Sequence, residues 1–397
     1  MSATIKAHGM DGTLVEPDWP PLELAELHTL FLRFPDLGEP AQIVSVSPRP
    51  LSAAGIVATR NGRVFVKRHH RAVRDPEGLL EEHRFLSHLL ARCVPVPRVL
   101  ASVSGETAIE IGEWTYEIHD TPAGIDLYED AISWTPFRSS VHAHSAGAAL
   151  ARLHLAARDF AASPRKPQPL VASFTIFADN DPAAAMERYL AARPSLASHA
   201  AVHACADQVL GLLAPFHAEL VPLLPALPPL WTHNDLHASN LFWSDAGPNA
   251  DLRARAKAII DFGLADRTNA VHDIAHAIER NIVEWLVLVN DPRHPDEVPV
   301  HLDHLQALLD GYESVRALSL EESGALAPMT ALCHAEFALT EADYFLGVLH
   351  SEERGRLAYD DYLVGHARWF QSAPGRALLD AFRSRAAAHR PKGRGAQ

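Results

Sequence analysis

Cysteines and long apolar runs are both scarce in this sequence. The three cysteines, Cys93, Cys205 and Cys333, stand far apart in 397 residues. We therefore expect neither a disulfide framework nor a paired-cysteine metal site, as is typical of a cytoplasmic protein. Residues 1–12 show no apolar core behind a basic region, so no signal peptide is predicted. The most apolar tract, 209–231, contains five prolines and is not expected to span a membrane.

Positive charge is also in deficit. Lysine and arginine number 35 against 49 aspartates and glutamates, a formal net charge of −14. A general nucleic-acid binder needs a basic face for phosphates, so no nucleic-acid partner is expected. The motifs GxSxG, GxxxxGK and GxGxxG are missing as well, which leaves hydrolase, P-loop and dinucleotide-binding functions without support. The length suits about two to three domains of roughly 150 residues each.

Hydrophobic periodicity makes the first part of the chain rich in strands. Residues 1–40 are predicted to be an N-terminal extension with one helix, over 22–34. Residues 41–120 combine short β-favouring runs with a helix over 76–92, and Asn61-Gly62 predicts a tight hairpin between two strands. This segment should form a small sheet lobe.

The second part is predicted to be mainly helical. We place the lobe boundary near 122–124 and assign 121–389 to a helical lobe, interrupted by an irregular polar stretch at 231–273. The basic tail, 390–397, is expected to be disordered. Predicted helices cover 141–160, 273–289, 302–309, 327–349, 357–370 and 377–388. The fold class is therefore α+β, with a small sheet lobe before a larger helical lobe.

The irregular stretch carries the residues expected of phosphoryl transfer. That reaction needs a carboxylate at the acceptor hydroxyl and oxygen ligands for magnesium on the phosphates. Asp235, Asn240 five positions later, and Asp261 after a short apolar strand supply these groups in order. A second His-x-Asp ends at Asp303, but Leu308 stands where the asparagine would be. The complete pattern is thus much more specific than the short one.

A lysine and a glutamate upstream fit the same chemistry. Lys67 ends an apolar strand run, and Glu82 lies on the inner stripe of the next helix with Leu79 and Leu86. A buried carboxylate needs a cationic partner, and Lys67 is the expected one. Taken alone, both residues are more simply interpreted as exposed. The three downstream residues in the required order favour the pair instead.

These segments resemble the aminoglycoside phosphotransferase and choline kinase superfamily, whose fold is protein-kinase-like. Residues 233–240 are similar to its H-G-D-L-H-x-x-N, with Asn234 in place of the glycine. Residues 150–154 resemble its L-A-R-L-H, and 273–275 its D-L-A, whose aspartate is expected to be structural. The resemblance runs in pieces from 41 to 273. It implies two lobes: an antiparallel-sheet N-lobe and a larger, mainly helical C-lobe.

The resemblance also implies an ATP- and Mg²⁺-dependent kinase acting on a small-molecule hydroxyl. Asp235 matches the catalytic aspartate, and Asn240 and Asp261 match magnesium ligands. Lys67 and Glu82 match the lysine–glutamate pair at the nucleotide phosphates.

The nucleotide-covering loop and the hinge are assigned by position. The loop, 47–55, holds a single glycine, so its phosphate contacts are expected from backbone groups near Ser52 and Gly55. The hinge that would meet the adenine is assigned to Glu117, Ile118 and His119.

The acceptor site is marked less clearly. Acids in the C-terminal helices contact substrate amines in family members that modify aminoglycosides. Glu336 and Asp343 are therefore candidates, although solvent exposure is favoured for Asp343 and its neighbour Glu341, and Glu336 is as readily explained by an internal cation. Asp126, just past the hinge turn, is a further candidate. The acidic net charge would attract cationic ligands. An amino sugar, an aminoglycoside or an amino alcohol is the expected acceptor.

Other interpretations of the same residues stay open. His233 and His237 have the i, i+4 spacing of zinc ligands, but they lie in a predicted loop without an HExxH motif. A protein kinase would share this pattern, yet no Ala-Pro-Glu follows Asp261 and a helix is predicted from Asp273. A non-catalytic nucleotide-binding module would lack a key group, and none is missing. No membrane partner is expected, and the oligomeric state is not predicted.

Overall fold

The computed structural model describes residues 7–9, 11–132 and 134–389, so the predicted disordered tail, 390–397, lies outside the described residues. The strands are β1 (Ala7–His8), β2 (Leu14–Val15), β3 (Pro40–Val46), β4 (Ala53–Thr59), β5 (Gly62–His70), β6 (Ile109–Ile111), β7 (Trp114–Asp120), β8 (Pro229–Thr232), β9 (Leu241–Trp243), β10 (Ala256–Ile259) and β11 (Asp266–Asn269). The helices are α1 (Leu24–Phe31), α2 (Pro76–Ala91), α3 (Ser140–Ala157), α4 (Pro182–Ala191), α5 (Pro194–Ala197), α6 (Ala200–Leu220), α7 (Ala250–Arg253), α8 (Ala270–Ile282), α9 (Trp285–Asn290), α10 (Leu302–Glu313), α11 (Leu320–Leu332), α12 (His334–Asp343), α13 (Glu352–Arg356), α14 (Gly365–Trp369) and α15 (Ala373–His389).

The N-lobe is an antiparallel sheet with strand order β3-β4-β5-β7-β6. β4 and β5 meet at the predicted Asn61-Gly62 turn, where Gly62 has a positive φ of 144° that favours glycine. Val57 and Val66 on one face pack with Leu27 of α1 in a common core. Because side chains alternate along a strand, Lys67 lies on the opposite face, towards the C-lobe.

Helix α2 crosses the cleft side of the sheet. Asp75 caps it by accepting a hydrogen bond from the Gly78 amide at 2.8 Å, and Pro76 occupies its first turn. Leu79, Glu82 and Phe85 are buried along its inner face. The predicted helix, 76–92, therefore agrees with α2 to within one residue.

The C-lobe is a helical layer around one large apolar core. Helices α3 and α10 cross at Gly147 and Gly311, where an added Cβ would lie 1.9 Å from a carbonyl oxygen of the other helix. All of α8 is buried, so its polar residues need internal partners. None of the helices in the described residues is both long and apolar enough to cross a membrane.

The two-lobed α+β prediction is confirmed, and the differences lie mostly at helix ends. The helix predicted over 273–289 begins earlier, at Ala270, and breaks between α8 and α9. The helix predicted over 327–349 is α11, α12 and a π-helical segment at 344–348. The predicted lobe boundary, 122–124, follows directly on β7, the last strand of the N-lobe sheet along the chain.

Candidate active site

Asp273 fixes the loop that follows β8. Its Oδ2 and Oδ1 accept hydrogen bonds from the backbone amides of His233 and Asn234, both at 2.8 Å. The buried His154 ring lies 2.9 Å from Oδ2. Asp273 is not the first residue of its helix, since Asn269 caps α8 by accepting from the His272 amide. The motifs at 150–154 and 273–275, through His154 and Asp273, therefore fix the backbone of the third motif, 233–240.

Asn234 occupies a position that needs a left-handed backbone, with φ of 61°. Asparagine tolerates this conformation better than most residues, which explains how it replaces the glycine of the family pattern. Its Oδ1 accepts from the Thr232 and Thr268 hydroxyls at 2.9 and 3.2 Å. The substitution thus adds buried hydrogen bonds beneath the loop.

Asp235 stands at the cleft with its carboxylate held from two sides. Arg280 Nε donates to Oδ1 at 3.0 Å, and Asn240 Nδ2 donates to Oδ2 at 3.3 Å as well as to the backbone carbonyl of Asp235 at 2.9 Å. Its side chain is 18% exposed. Burial raises the pKa of Asp235, and the Arg280 guanidinium offsets part of that effect. The carboxylate is therefore a stronger base than an exposed aspartate.

Lys67 and Asp261 join the two lobes. Lys67 Nζ lies 2.8 Å from Asp261 Oδ1, and Asp261 has a positive φ of 59° just after β10. Burial alone would lower the pKa of Lys67, but the Asp261 carboxylate, helped by Glu117 and Glu82, raises it. Burial opposes ionisation of Asp261 as well, yet Lys67 holds the pKa of Asp261 below its usual range.

The expected direct pair of Lys67 with Glu82 is replaced by a looser arrangement. Glu82 is 4% exposed and acts electrostatically on Lys67, but the hydrogen bond of the lysine goes to Asp261. Lys67 therefore has three acidic neighbours, of which Asp261 alone is hydrogen-bonded to it, while Glu117 and Glu82 act through their charge. The prediction that the Glu82 side chain is buried agrees with the structure, but the hydrogen-bond partner of Lys67 is Asp261 and not Glu82.

The residues predicted to form the hinge, Glu117, Ile118 and His119, belong to the N-lobe sheet. These residues lie inside β7, where Glu117 pairs with Lys67 of β5 and the Ile118 carbonyl accepts from Leu100 at 2.8 Å. The backbone groups of this strand are thus committed to the sheet.

Glu117 instead is the centre of a buried histidine cluster in the N-lobe. Its two carboxylate oxygens lie within 3.0 Å of Nε2 atoms of His69, His83 and His119. Burial opposes ionisation, but these rings hold the pKa of Glu117 well below its usual range, His119 most strongly. The histidines thus keep Glu117 negatively charged on β7, beside Lys67 of β5.

The loop between β3 and β4 reaches the catalytic loop through Arg49, which sequence reasoning missed. Arg49 Nη2 donates to Ser239 Oγ at 2.5 Å, and burial lowers its pKa. Ser52, predicted to lie near the phosphates, lines the same cleft. Gly55 does not; it lies in β4, where an added Cβ would meet the Ser45 carbonyl oxygen at 2.4 Å. Gly55 is therefore needed for strand pairing.

A cavity of about 480 Å³ lies between the lobes. Its charged lining includes Arg49, Lys67, Asp235, Asp261, Arg280 and Glu341. Glu341 is only 5% exposed, and its Oε2 has no hydrogen-bond partner among the described residues. Burial raises the pKa of Glu341 to about 8. The acid expected to face solvent is thus the one that faces the cavity.

The other predicted acceptor residues lie elsewhere. Glu336 accepts from the Ile176 amide at 2.6 Å and from the Thr175 backbone, so it anchors that segment. Asp343 is bonded by the Ser195 hydroxyl. Asp126 accepts from the Tyr128 amide at 3.2 Å, and burial raises its pKa to about 6. None of the three acids lines the cavity.

Arg280 is the second missed residue. It is 1% exposed and bonded by Nη1 to Glu279 at 2.7 Å and to the Tyr362 hydroxyl at 3.1 Å. Burial would lower the pKa of Arg280, but Glu279 raises it well above the ordinary value. The signal in the sequence was an adjacent Glu-Arg pair in the helix that carries Asp273, with Arg280 seven residues after that aspartate.

The N-terminal segment forms one wall of this cavity. Gly9, Thr13 and Val15 line it. Further along, Asp18 pairs with Arg354 of α13. The Asp18 amide donates to the Pro50 carbonyl at 3.3 Å. The segment thus links the β3–β4 loop to the C-lobe across the cleft.

Comparison with known proteins agrees with this geometry. A sequence model described as the phosphotransferase enzyme family matches residues 56–318. The chain belongs to this family. It is 26% identical over 321 residues to a homoserine kinase of Rhodospirillum rubrum, covering 79% of this chain and 83% of that protein.

Solved structures give the same fold. The structure of a microcompartment-associated aminopropanol kinase aligns with a TM-score of 0.56 at 17% identity, over 91% of this chain and 98% of that one. An aminoglycoside phosphotransferase of Alicyclobacillus acidocaldarius aligns with a TM-score of 0.51 at 17% identity, over 93% and 98%. The family member described here is a small-molecule phosphotransferase that acts on hydroxyl groups.

Proposed function

We propose that the protein transfers the γ-phosphoryl group of ATP, with Mg²⁺, to a hydroxyl of a small molecule that also carries an amine. The observation that carries this proposal is the meeting of Asp235, Lys67 and Asp261 in one cavity between the lobes. A carboxylate base, a phosphate-binding cation and a metal-binding carboxylate are the groups that phosphoryl transfer requires.

Asp235 acts at the acceptor hydroxyl. The hydroxyl oxygen forms a bond to the γ-phosphorus as the bond from that phosphorus to the bridging oxygen breaks, which gives ADP and a phosphate monoester. Asp235 orients the hydroxyl and takes its proton, and its raised pKa suits that role. Arg280, bonded to Oδ1, keeps the carboxylate ionised and in place.

Asn240 and Asp261 fit a magnesium site by the chemistry of their donors. Carboxylate and amide oxygens are hard ligands of the kind Mg²⁺ prefers. Asn240 uses its amide nitrogen on Asp235, which leaves the amide oxygen for a cation. When bound, the metal would neutralise charge on the phosphates. Lys67 would bind phosphate oxygens, and Arg49 and Ser52 line the cavity beside it.

The amine in the proposed acceptor is supported by charge and by relatives. The chain carries a net charge of −14, and Glu341 lies buried at the cavity. Homoserine, aminopropanol and aminoglycosides, which appear in the names of the similar proteins, all combine a hydroxyl with an amine. The same chemistry is therefore expected here.

An acceptor panel assayed by ADP release tests the proposal. Amino alcohols, hydroxy amino acids, amino sugars, aminoglycosides and neutral sugars would each be offered with ATP, with and without Mg²⁺. We expect acceptor-dependent ADP release that requires the metal, and a phosphate monoester by mass spectrometry. ADP release that no acceptor stimulates would contradict the proposal.

A further inference from the structure

Four buried side chains of the N-lobe come together beside Lys67. Glu117 and His119 lie two residues apart on β7, so they project from the same face of the sheet. His83 comes from α2 and His69 from β5. All four side chains are buried. Three separate elements, one helix and two strands, therefore supply the cluster.

The ring nitrogens of this cluster are directed at the carboxylate of Glu117. Nε2 of His83 and Nε2 of His119 each lie 2.8 Å from Oε2, and Nε2 of His69 lies 3.0 Å from Oε1. The His83 and His119 rings are nearly perpendicular, at 81°. The potential ligand atoms of His83, Glu117 and His119 all lie within 4.8 Å of one another. Two imidazole nitrogens and a carboxylate oxygen thus surround a common point.

This set of donor atoms fits zinc. Imidazole nitrogen and carboxylate oxygen are common zinc ligands, whereas Mg²⁺ takes oxygen ligands and would be disfavoured by two imidazoles. In a tetrahedral zinc site, bonds of about 2.0–2.2 Å place neighbouring ligand atoms about 3.3 Å apart. The observed separations from Oε2 are 2.8 Å. An opening of about half an ångström would therefore admit the ion, with water or Oε1 as the fourth ligand.

Outer contacts already orient the candidate ligands. Thr107 Oγ1 lies 2.8 Å from Nδ1 of His83, and His69 contacts Oε1 of Glu117, the oxygen next to the one that would bind the ion. A metal-bound histidine usually donates its other ring N–H to an oxygen, and a metal-bound carboxylate is usually hydrogen-bonded in turn. Thr107 and His69 would serve in these two ways.

The charges around the cluster are compatible with a cation. Among the described residues, the ion pairs of Glu117 all go to histidines, whose charge depends on protonation. The positive charges that act on the cluster are those of Lys67 and Arg74. Three carboxylates, Glu82, Glu117 and Asp261, act on these two cations in turn. The two cations are therefore matched, and a divalent ion would give Glu117 a partner whose charge does not depend on protonation.

We propose that Nε2 of His83, Nε2 of His119 and Oε2 of Glu117 bind one zinc ion, which joins α2 to β7. The site is separate from the magnesium ligands proposed at Asn240 and Asp261, and it does not depend on the proposed function. The ion has a structural role: it holds the helix of the N-lobe against the sheet.

Zinc retention by the full-length chain tests the site. The protein is stripped with EDTA, incubated with ZnCl₂ in a buffer that contains Mg²⁺, passed through gel filtration and analysed for zinc by mass spectrometry. We expect one retained equivalent, and a higher Tm than for the stripped protein, because the ion binds the folded state. The chain carries no polyhistidine tag in this experiment, since its own 24 histidines already give a background to be controlled.

Four histidine variants distinguish the ligands from their surroundings. His83→Gln and His119→Gln should each lose the retained equivalent and the gain in Tm. His69→Gln should weaken zinc binding by about 10–100-fold, because His69 holds the carboxylate from outside. His88→Gln is the matched control: His88 also lies on α2, but its Nε2 contacts the Ala156 carbonyl at 3.0 Å. It should retain one equivalent. Circular dichroism checks that each variant is folded.

A measurement on the wild type covers the case in which the ligand variants do not fold. Crystals of the zinc-loaded protein should give an anomalous difference peak, at the zinc absorption edge, between His83, Glu117 and His119. A peak elsewhere, the lack of any peak, or equal zinc retention by a folded ligand variant would overturn the inference. None of these outcomes bears on acceptor-dependent ADP release, so the kinase assignment is tested separately.

Discussion

Arg280 Nε donates to Oδ1 of Asp235 at 3.0 Å, so an arginine of α8 holds the carboxylate that would receive the acceptor proton. Burial raises the pKa of Asp235, and Arg280 works against that increase. The relationship makes the pH dependence of turnover a direct probe of the site. Activity should fall on the acidic side, where Asp235 becomes protonated.

Arg280→Lys should move that acidic limb to higher pH. The variant keeps a positive charge but loses the guanidinium donor at Oδ1, so protonation of Asp235 becomes easier. The measurement is kcat/KM for the acceptor against pH at saturating MgATP. The loss of activity should be larger at pH 6 than at pH 9. Superimposable profiles would show that Arg280 does not govern the ionisation of Asp235.

Asp235→Asn should abolish most turnover and keep the fold. Asparagine can still accept from Arg280 through its oxygen, but it cannot take a proton. We expect kcat to fall by roughly 10²–10⁴, the usual worth of general-base action. Thermal unfolding and calorimetric ATP affinity serve as controls and should stay near wild type. Near-normal kcat would remove Asp235 from this role.

Asp261→Asn should remove the effect of Mg²⁺ on nucleotide binding. The amide is a much weaker magnesium ligand than the carboxylate and also leaves Lys67 without its ion pair. Isothermal calorimetry with a non-hydrolysable ATP analogue, with and without Mg²⁺, measures the effect. The wild type should bind more tightly with the metal, and the variant should not. An equal metal effect in both proteins would place the metal elsewhere.

Lys67 should be coupled more strongly to Asp261 than to Glu82. Lys67→Met, Asp261→Asn and Glu82→Gln, with the two double variants that contain Lys67→Met, form two mutant cycles. We expect a coupling energy in the range of about 0.5–3 kcal/mol for the contacting pair and a smaller one for Glu82. The readout is the affinity for ATP. Stronger coupling to Glu82 would mean that the lysine has its main contact on α2.

Glu341→Gln should stabilise the protein increasingly as the pH rises. The pKa of Glu341 is raised to about 8 in the folded state, above its ordinary value of 4.5, so folding favours the protonated form. Its contribution is complete below about pH 4.5 and is lost as the pH rises through 8. The gain in Tm over wild type should therefore be larger at pH 9 than at pH 5. A gain independent of pH would contradict the buried, unpartnered state of Glu341.

The sequence was sufficient for the catalytic loop because its chemistry is local. Asp235 and Asn240 lie five residues apart. Asp261 follows β10, which pairs antiparallel with β9 just after Asn240, so one strand pair brings the three residues together. The sheet lobe was also predictable, since the turn at Asn61-Gly62 has a strong preference of its own. The roles of these residues stay predictions for the experiments above.

The acceptor side could not be predicted in the same way. Glu336 and Glu341 both lie on α12, a helix buried along its whole length, so periodicity does not say which side meets a cavity. That distinction depends on the 173–176 segment, which hydrogen-bonds Glu336 but not Glu341. The residues predicted to form the hinge fall inside a strand for a related reason, because β7 continues to Asp120 and the end of a strand is poorly marked in the sequence.

The link that Asp18 makes from Arg354 to the β3–β4 loop has a practical consequence for anyone who expresses this protein. Trimming the first twenty residues to obtain better crystals would remove Asp18 together with the cavity wall at Gly9 and Thr13. Kinetic constants measured on such a shortened chain would belong to a cavity that lacks this wall. An affinity tag is better attached after the last helix, so that residues 7–9 and 11–18, which build this wall and this link, are kept.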